Sequence, residues 1–364
     1  MKCLFHLGHP AHFHLFKNVI YTLQSRGHET QVLIKKKDVL ENLLKESGLE
    51  YRNILPSGRN NSKYGIAWGQ IKQDFKLISF AIKHKPDILV GTSVAISHVG
   101  KFLGIPSINV NEDDAEVVPL YATLAYPWAN HILAPECCSV GKWAEKKIGY
   151  NSYHELAYLH PNQFKPDPSV VNQYFSLDES YFIIRFAQLN AHHDDGIKGI
   201  DLEITKKLIE VLSPYGRVYI TSEKLLEPIL EPYRLHIKAS DIHHFMAFAQ
   251  LYIGDSQTMA AESGVLGVPF IRFNDFVGKI GYLNELENKF ELGYGIKADY
   301  PELLIDKVQE LLQLENRKQI FFERRNKLLC TKIDYAQFLT WFIEEYPKSV
   351  KIIRENPDYQ YNFK

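Results

Sequence analysis

Cysteine is scarce in this chain, with four among 364 residues. Cys3, Cys137, Cys138 and Cys330 show no metal-ligand spacing, and the adjacency of Cys137 and Cys138 suits neither a zinc site nor an ordinary disulfide framework, so reduced thiols are expected. Long hydrophobic runs are missing as well. No stretch approaches the ~20 apolar residues of a membrane span, and the opening MKCLFHLGHP lacks the charged head and apolar stretch of a secretion signal. These absences predict a soluble, cytoplasmic protein. Net charge is nearly absent too, at −1, and no nucleic-acid partner is expected.

What charge there is falls unevenly. Residues 1–110 carry 15 Lys or Arg against 7 Asp or Glu, about +8, which leaves about −9 for the remainder. Two domains with differently solvated faces explain this most simply. The alternative is a basic first domain in peripheral contact with anionic lipid on the inner membrane face. The length predicts two domains with a core each, and the apolar fraction of 45% is that of an ordinary globular chain.

Four histidines crowd the segment LFHLGHPAHFHLFKNVI, residues 4–20. KCLFHL is a short apolar run ending at Gly8, after which Phe13, Phe16, Ile20 and Leu23 recur at three- to four-residue spacing. The spacing predicts strand, turn and helix. ETQVLIK, PDILVGT, PSINV and HILAP read as further strands, separated by helices at DVLENLLKESG, Ile66 to His84 and VAISHVGKFLG. Such near-continuous apolar runs are those of a parallel sheet covered on both faces. The rhythm lapses into proline-rich text at Tyr158 to Pro168, which predicts a linker. A second α/β domain follows, with strands at YFIIRFA, RVYIT, RLHIK, LYIGD and PFIRF and helices near Ile200–Leu212, Lys224–Leu230 and Thr258–Leu266. The fold class is α/β, two Rossmann-like doubly wound domains, and their chemistry is expected in strand-to-helix turns around an interdomain cleft.

The sharpest turn is in LYIGDSQTMAAESGVLGVP, residues 251–269. Free backbone N–H groups of Ser256, Gln257 and Thr258 at a helix start suit a diphosphate, and Glu262 one turn further in suits vicinal ribose hydroxyls. The plainer alternative makes Ser256 or Thr258 an N-cap and Glu262 a solvated helix residue. His192, His193, Asp194 and Asp195 form a second polar cluster after a strand. We read it as a contact for diphosphate or donor sugar, with Arg185 or Lys198 adding positive charge, in preference to a metal site.

NVNEDDAE sets Glu112, Asp113 and Asp114 after a strand of the first domain, either to orient or deprotonate a hydroxyl or simply as an acidic helix start. Among the early histidines His6 reads as core, His9 and His12 as facing the crevice, and His14 as the weakest candidate. HHFMAF reads as a core-facing helix with a residue near His244 able to border the nucleobase, and Lys279 and Asn284 are candidates for a donor-sugar or acceptor loop. The irregular PSGRNNSKYGIAWGQIKQ is an adaptable acceptor loop or an ordinary connection.

GDSQTMAAESGVLGVPFI resembles the donor-nucleotide motif of GT-B-fold glycosyltransferases and of the related hydrolysing UDP-N-acetylglucosamine 2-epimerases. GHPAHFHLFKNVIYTL is similar to the glycine-rich turn and histidine that open the transferases' first helix, with His12 on that histidine. GIPSINVNEDDAE and FAQLNAHHDDG match the epimerase branch in position, the catalytic Glu aligning with Glu112 or Asp113. There are departures: Pro10 and Ala11 replace a multi-glycine turn, NEDDAE lacks the Gly-Leu-Arg that follows the epimerase Glu, and HHDDG lacks its Arg pair. The closest resemblance is to an uncharacterised bacterial and archaeal GT-B-like family.

The resemblance implies a GT-B fold with domains at 1–162 and 163–332 and a C-terminal helix and tail, 333–364, packing back on the first. It implies a glycosyltransferase moving sugar from a nucleotide-sugar donor, UDP-linked by expectation, to a glycan or lipid-linked acceptor in surface-polysaccharide synthesis. No cofactor or catalytic metal is expected. His12 is the preferred catalytic residue, with His9, Asp113 and Glu112 behind it, and Arg185, His192, His193, Ser256, Gln257, Thr258 and Glu262 hold the donor. The alternatives are a nucleotide-sugar epimerase or hydrolase using Glu112 or Asp113 with His192 or His193, and a non-catalytic nucleotide-sugar-binding protein.

Overall fold

The computed structural model describes residues 1–35, 37, 39–56, 63–186, 199–222 and 225–364, with 63–67 described as backbone only. It divides into two compact units, Met1–Gln163 together with Lys332–Lys364, and Phe164–Thr331.

In the first unit β1 (Lys2–Leu7) is buried along its length after Lys2, as a strand covered on both faces must be. It runs into α1 (Pro10–Ser25), whose Pro10 supplies a pre-set φ at the first turn and whose Phe13, Phe16, Val19, Ile20 and Leu23 form the buried stripe. Gly27, at φ +83°, lets the chain turn away after the helix. There follow β2 (Glu29–Lys35), α2 (Leu40–Ser47), β3 (Arg52–Leu55), α3 (Lys63–His84) and β4 (Ile88–Gly91). After these come α4 (Val94–Leu103), β5 (Ser107–Val110), α5 (Pro119–Ala125), β6 (His131–Pro135) and β7 (Lys147–Tyr150).

All seven strands are parallel, in the order β3-β2-β1-β4-β5-β6-β7. Strand order reverses between β1 and β4, so the loops leaving these two strands part and open a crevice at their carboxyl ends. The core beneath it joins Leu4, Leu33 and Leu89 of the sheet to Leu77 of α3 and Ile96 of α4. Gly91 is required there, because a Cβ at this position would stand 2.7 Å from the His6 carbonyl oxygen.

The second unit contains α6 (Pro168–Asn172), β8 (Tyr181–Phe186), α7 (Leu202–Leu212), β9 (Arg217–Ser222), α8 (Ile242–Phe248) and β10 (Tyr252–Gly254). It continues with α9 (Gln257–Leu266), β11 (Phe270–Phe273), α10 (Gly281–Asn288), β12 (Gly293–Ile296), α11 (Pro301–Gln313) and α12 (Arg317–Thr331). Its parallel sheet has the order β12-β11-β10-β8-β9, with the reversal between β8 and β10. The turn 255–256 leaves β10 at that point.

The chain then returns to the first unit as α13 (Tyr335–Glu344) and α14 (Lys348–Glu355). Ile333 N–H donates to the Asn151 carbonyl, Tyr335 stacks on Tyr150 at 4.1 Å, and Glu344 pairs with Arg26 and His28 at the end of α1. The expected return of the C-terminal helix is thus present.

Three expectations are corrected. RLHIK is no strand; only Arg234 bridges to Ile220. The region near Lys224–Leu230 forms a 3-10 turn at Pro228–Tyr233, where Pro232 denies a longer helix its backbone donor. Strands β3, β7 and β12 were not anticipated, and each lies at a sheet edge. None of the four cysteines is in a disulfide, and no helix among the described residues is long and apolar enough to cross a membrane.

Candidate functional site

The turn after β1 separates the four early histidines by role. His6, inside the strand, accepts from Gln73 Nε2 at Nε2 (3.3 Å), which leaves Nδ1–H to donate to Ser93 Oγ (2.8 Å). Burial, followed by the charge of Lys35, pushes its pKa down to about 3. This neutral ring pins β1 to α3 and to the turn before α4. His14 is buried against the rings of Phe13 and Tyr158. His9 caps α1, its Nδ1 accepting from Ala11 N–H at 3.2 Å, with its ring 5.9 Å from that of His12.

His12 lies in the crevice between β1 and β4. Gly8 N–H donates to its Nδ1 at 3.0 Å, and Thr92 Oγ1 stands 2.6 Å from Nδ1 and 2.9 Å from Nε2. A backbone N–H on Nδ1 requires a lone pair there, so the neutral ring carries its proton on Nε2. Burial, then the nearby His9, His154, Lys35 and His6, hold its pKa well below the ordinary imidazole value. In this state His12 is a hydrogen-bond donor through Nε2, neither an imidazolium nor a base.

The acidic run after β5 also divides. Asp114 is a structural tie, buried, with Oδ1 accepting from Ser139 N–H at 2.6 Å. Glu112 Oε2 accepts from the backbone N–H of His154 at 3.0 Å, and Oε1 lies 3.2 Å from His154 Nδ1. This fixes the imidazole with Nδ1–H toward the carboxylate and the lone pair on Nε2, which is buried with no hydrogen-bond partner among the described residues. Tyr335 stacks on the other side of that ring.

Burial pushes the His154 pKa down to about 3 against the opposing charge of Asp113. Asp113 itself is held above the usual carboxylate range by burial, with His154 opposing and Asp114 adding to the shift. Asn111 fixes the Asp113 backbone by donating to its carbonyl at 2.9 Å, and Tyr121 OH donates at 2.8 Å to Oδ1 of Asn109 in β5, the strand that leads into this run. His12, His154 and Asp113 therefore form one electrostatically coupled group. His154 escaped sequence reading: it lies alone in SYHELAY, 42 residues after its carboxylate partner, with no local pattern to mark it.

In the second unit Ser256 caps α9, its Oγ accepting from Met259 N–H at 3.4 Å. Ser256, Gln257 and Thr258 are partly exposed, and the first turn carries no acidic residue. Glu262 is not the solvated helix residue of the plainer alternative. It is 4% exposed and paired with His243 Nε2 of α8 at 3.0 Å.

The turn is braced from below: Asn274 Nδ2 donates to the Asp255 carbonyl at 3.0 Å, and Asn274 Oδ1 accepts from the wholly buried Arg272, which also pairs with Glu287 at 2.9 Å. Arg185, next to last in β8, lies beside Gly254, its carbonyl accepting from Asp255 N–H at 3.3 Å. His244 Nδ1 accepts from Asp167 N–H at 3.0 Å, and Lys279 is exposed near Phe276. His192, His193, Asp194, Asp195 and Lys198 lie outside the described residues, as does part of the proposed acceptor loop, 57–62. Among the described residues no group of three or more His, Cys, Asp or Glu side chains is arranged to hold a metal ion.

Two doubly wound parallel sheets of seven and five strands, with a C-terminal helix returned to the first, define the GT-B fold. The chain belongs to the family described as a protein of unknown function (DUF354), whose profile matches residues 1–278. No curated protein matches it.

Among solved structures it is similar to S. aureus MnaA in a co-structure with UDP, at a TM-score of 0.65 and 12% identity over 98% of this chain and 96% of that one. The UDP-GlcNAc 2-epimerase of Methanocaldococcus jannaschii gives 0.62 and 15%, over 86% and 94% of the two chains. The spinosyn rhamnosyltransferase SpnG, complexed with spinosyn aglycone, gives 0.62 and 14%, over 94% and 100%. These likenesses establish the fold.

Proposed function

We propose that the chain is a glycosyltransferase that moves a sugar from a UDP-linked donor to a glycan or lipid-linked acceptor in surface-polysaccharide synthesis. The observation that carries this reading is in the first unit, a neutral His12 with Nε2–H as donor and, linked to it through the field of His154, Asp113, a carboxylate whose raised pKa suits a general base. The oxygen of the acceptor hydroxyl forms the new bond to the anomeric carbon and its proton passes to Asp113. The bond from that carbon to the diphosphate breaks, and its electron pair leaves on the diphosphate.

The second unit by itself offers a place for a diphosphate at the α9 start, Ser256 to Thr258, with Arg185 adding positive charge. His12 donates to an oxygen of donor or acceptor, and His154, oriented by Glu112, accepts a substrate hydroxyl at Nε2. His192 and His193 keep the donor-binding role expected of them, and Glu262, paired with His243, is assigned to the ribose. The reaction so written uses no bound metal. UDP bound to S. aureus MnaA and the aglycone bound to SpnG support the two substrate classes.

The test is proton NMR of UDP-sugars with the protein, first alone and then with an acceptor panel. Transfer expects UDP release only with acceptor. Asp113→Asn should lower kcat by about 10²- to 10⁴-fold while UDP affinity holds. His12→Gln, which keeps an N–H donor, should retain more activity than His12→Ala; equal loss in both would remove the donor role. A second reading, a nucleotide-sugar epimerase or hydrolase, is favoured by the Glu112–His154 pair beside Asp113. It requires UDP release with a rearranged sugar and no acceptor. Saturable binding without turnover under every condition would mark a non-catalytic binder.

A further inference from the structure

Eight large apolar side chains are exposed on α3, α4, α5 and the turn after α5. On α3 they are Trp68, Ile71, Phe75 and Ile82, a helical spacing that makes one stripe, with Trp68 at 67% and Phe75 at 68% exposure. Phe102 on α4 is 74% exposed, and Leu120, Leu124 and Trp128 lie on or just after α5. His98 joins these elements into one face. Its Nδ1 meets Asp74 of α3 at 2.8 Å, its Nε2 meets the Leu124 carbonyl at 2.9 Å, and its ring stands against Trp128.

An apolar patch of this kind on a soluble surface marks an interaction site, and the charges on it choose the occupant. Lys72, Lys76 and Lys83 are exposed between the apolar residues of α3, and Lys101 is exposed beside Phe102. From Trp68 to the end of α3 no exposed residue is acidic, and the single carboxylate, Asp74, is turned to His98. A second copy of this chain across a two-fold axis would set these lysines against one another, and lysine is depleted at interface cores. An anionic bilayer satisfies both sets. Aromatic and aliphatic side chains enter the headgroup boundary, and lysine stems snorkel to lipid phosphates.

We propose that the α3–α5 face docks the protein on the surface of an anionic phospholipid bilayer. The docking does not depend on the transferase reading. Where that reading also holds, it selects the lipid-linked acceptor, because Tyr121, bonded to Asn109 of the site, stands next to Leu120 of the docking face.

Flotation of the full chain with vesicles of phosphatidylglycerol and phosphatidylcholine in equal parts, and of phosphatidylcholine alone, tests this without any nucleotide sugar. The expected result is flotation with the anionic vesicles, weakened by salt. Binding should fall about fivefold for each lysine neutralised in Lys72→Gln and Lys76→Gln, and Trp68→Ser with Phe75→Ser should abolish it while circular dichroism and melting stay unchanged. Two results would overturn it: failure to float with the anionic vesicles, or a dimeric mass in light scattering that Phe75→Ser converts to monomer. Since no sugar donor is present, either failure leaves UDP-sugar turnover to be judged separately.

Discussion

Acidification is expected to unlock the first unit through His6. This ring is wholly buried and keeps its proton affinity near pH 3, against 6.5 for an ordinary imidazole. Between those values the unfolded chain binds a proton that the native site refuses, so the unfolded state carries more protons and stability falls as pH falls. Each pH unit in this window costs about 1.4 kcal/mol. The descent from pH 6.5 to about pH 5 therefore removes about 2 kcal/mol through His6 alone, and the full window about 5 kcal/mol, comparable with the whole stability of many domains.

The assay is urea unfolding followed by circular dichroism at neutral pH and near pH 5, on the wild type and on His6→Gln. Loss of the bonds to Ser93 and Gln73 lowers the variant's stability at neutral pH, but that cost cancels when each protein is compared with itself. The wild type should lose about 2 kcal/mol more than the variant on acidification. Equal pH dependence in the two proteins would refute the neutral, proton-refusing His6, and with it the account of how the turns after β1 and β4 are pinned together.

Further outcomes concern the second unit. Thr258→Asp places a carboxylate at the start of α9, where the helix dipole favours anions and a diphosphate would be repelled; UDP affinity by calorimetry should fall at least about tenfold. Arg272→Met strands the buried Glu287 and loosens the Asn274 brace under the Asp255 turn. It should destabilise by about 3–5 kcal/mol in chemical denaturation, and the double variant Arg272→Met with Glu287→Leu should recover most of that loss. No recovery would mean the brace rather than the stranded charge dominates.

Periodicity revealed most of the fold, because strands buried on both faces must be apolar throughout and their covering helices must repeat every three to four residues. β1, β2, β4, β5 and β6 were legible for that reason, as were β8, β10 and β11. RNIL, KIGY and GYGI were not: β3, β7 and β12 are four-residue edge strands, each with two exposed or half-buried positions. An edge strand is paired on one side only, so its own letters carry little of the pattern that defines it. RLHIK erred the other way, with a strand-like composition but no neighbour beyond one bridge.

Local sequence by itself determined where the strand-to-helix turns fall, since turns follow strands and the sign of charge follows composition. It also separated His6, inside its strand, from His9 in the turn and His12 at the start of α1. Tertiary structure decided what each group is. The proton on His12 Nε2 follows from Gly8 N–H facing Nδ1, the pairing of Glu112 with His154 spans 42 residues, and Glu262 meets His243 only because α8 packs on α9. Protonation state and orientation depend on which dipoles and charges stand within a few ångströms, and the folded chain, not residue order, sets those distances.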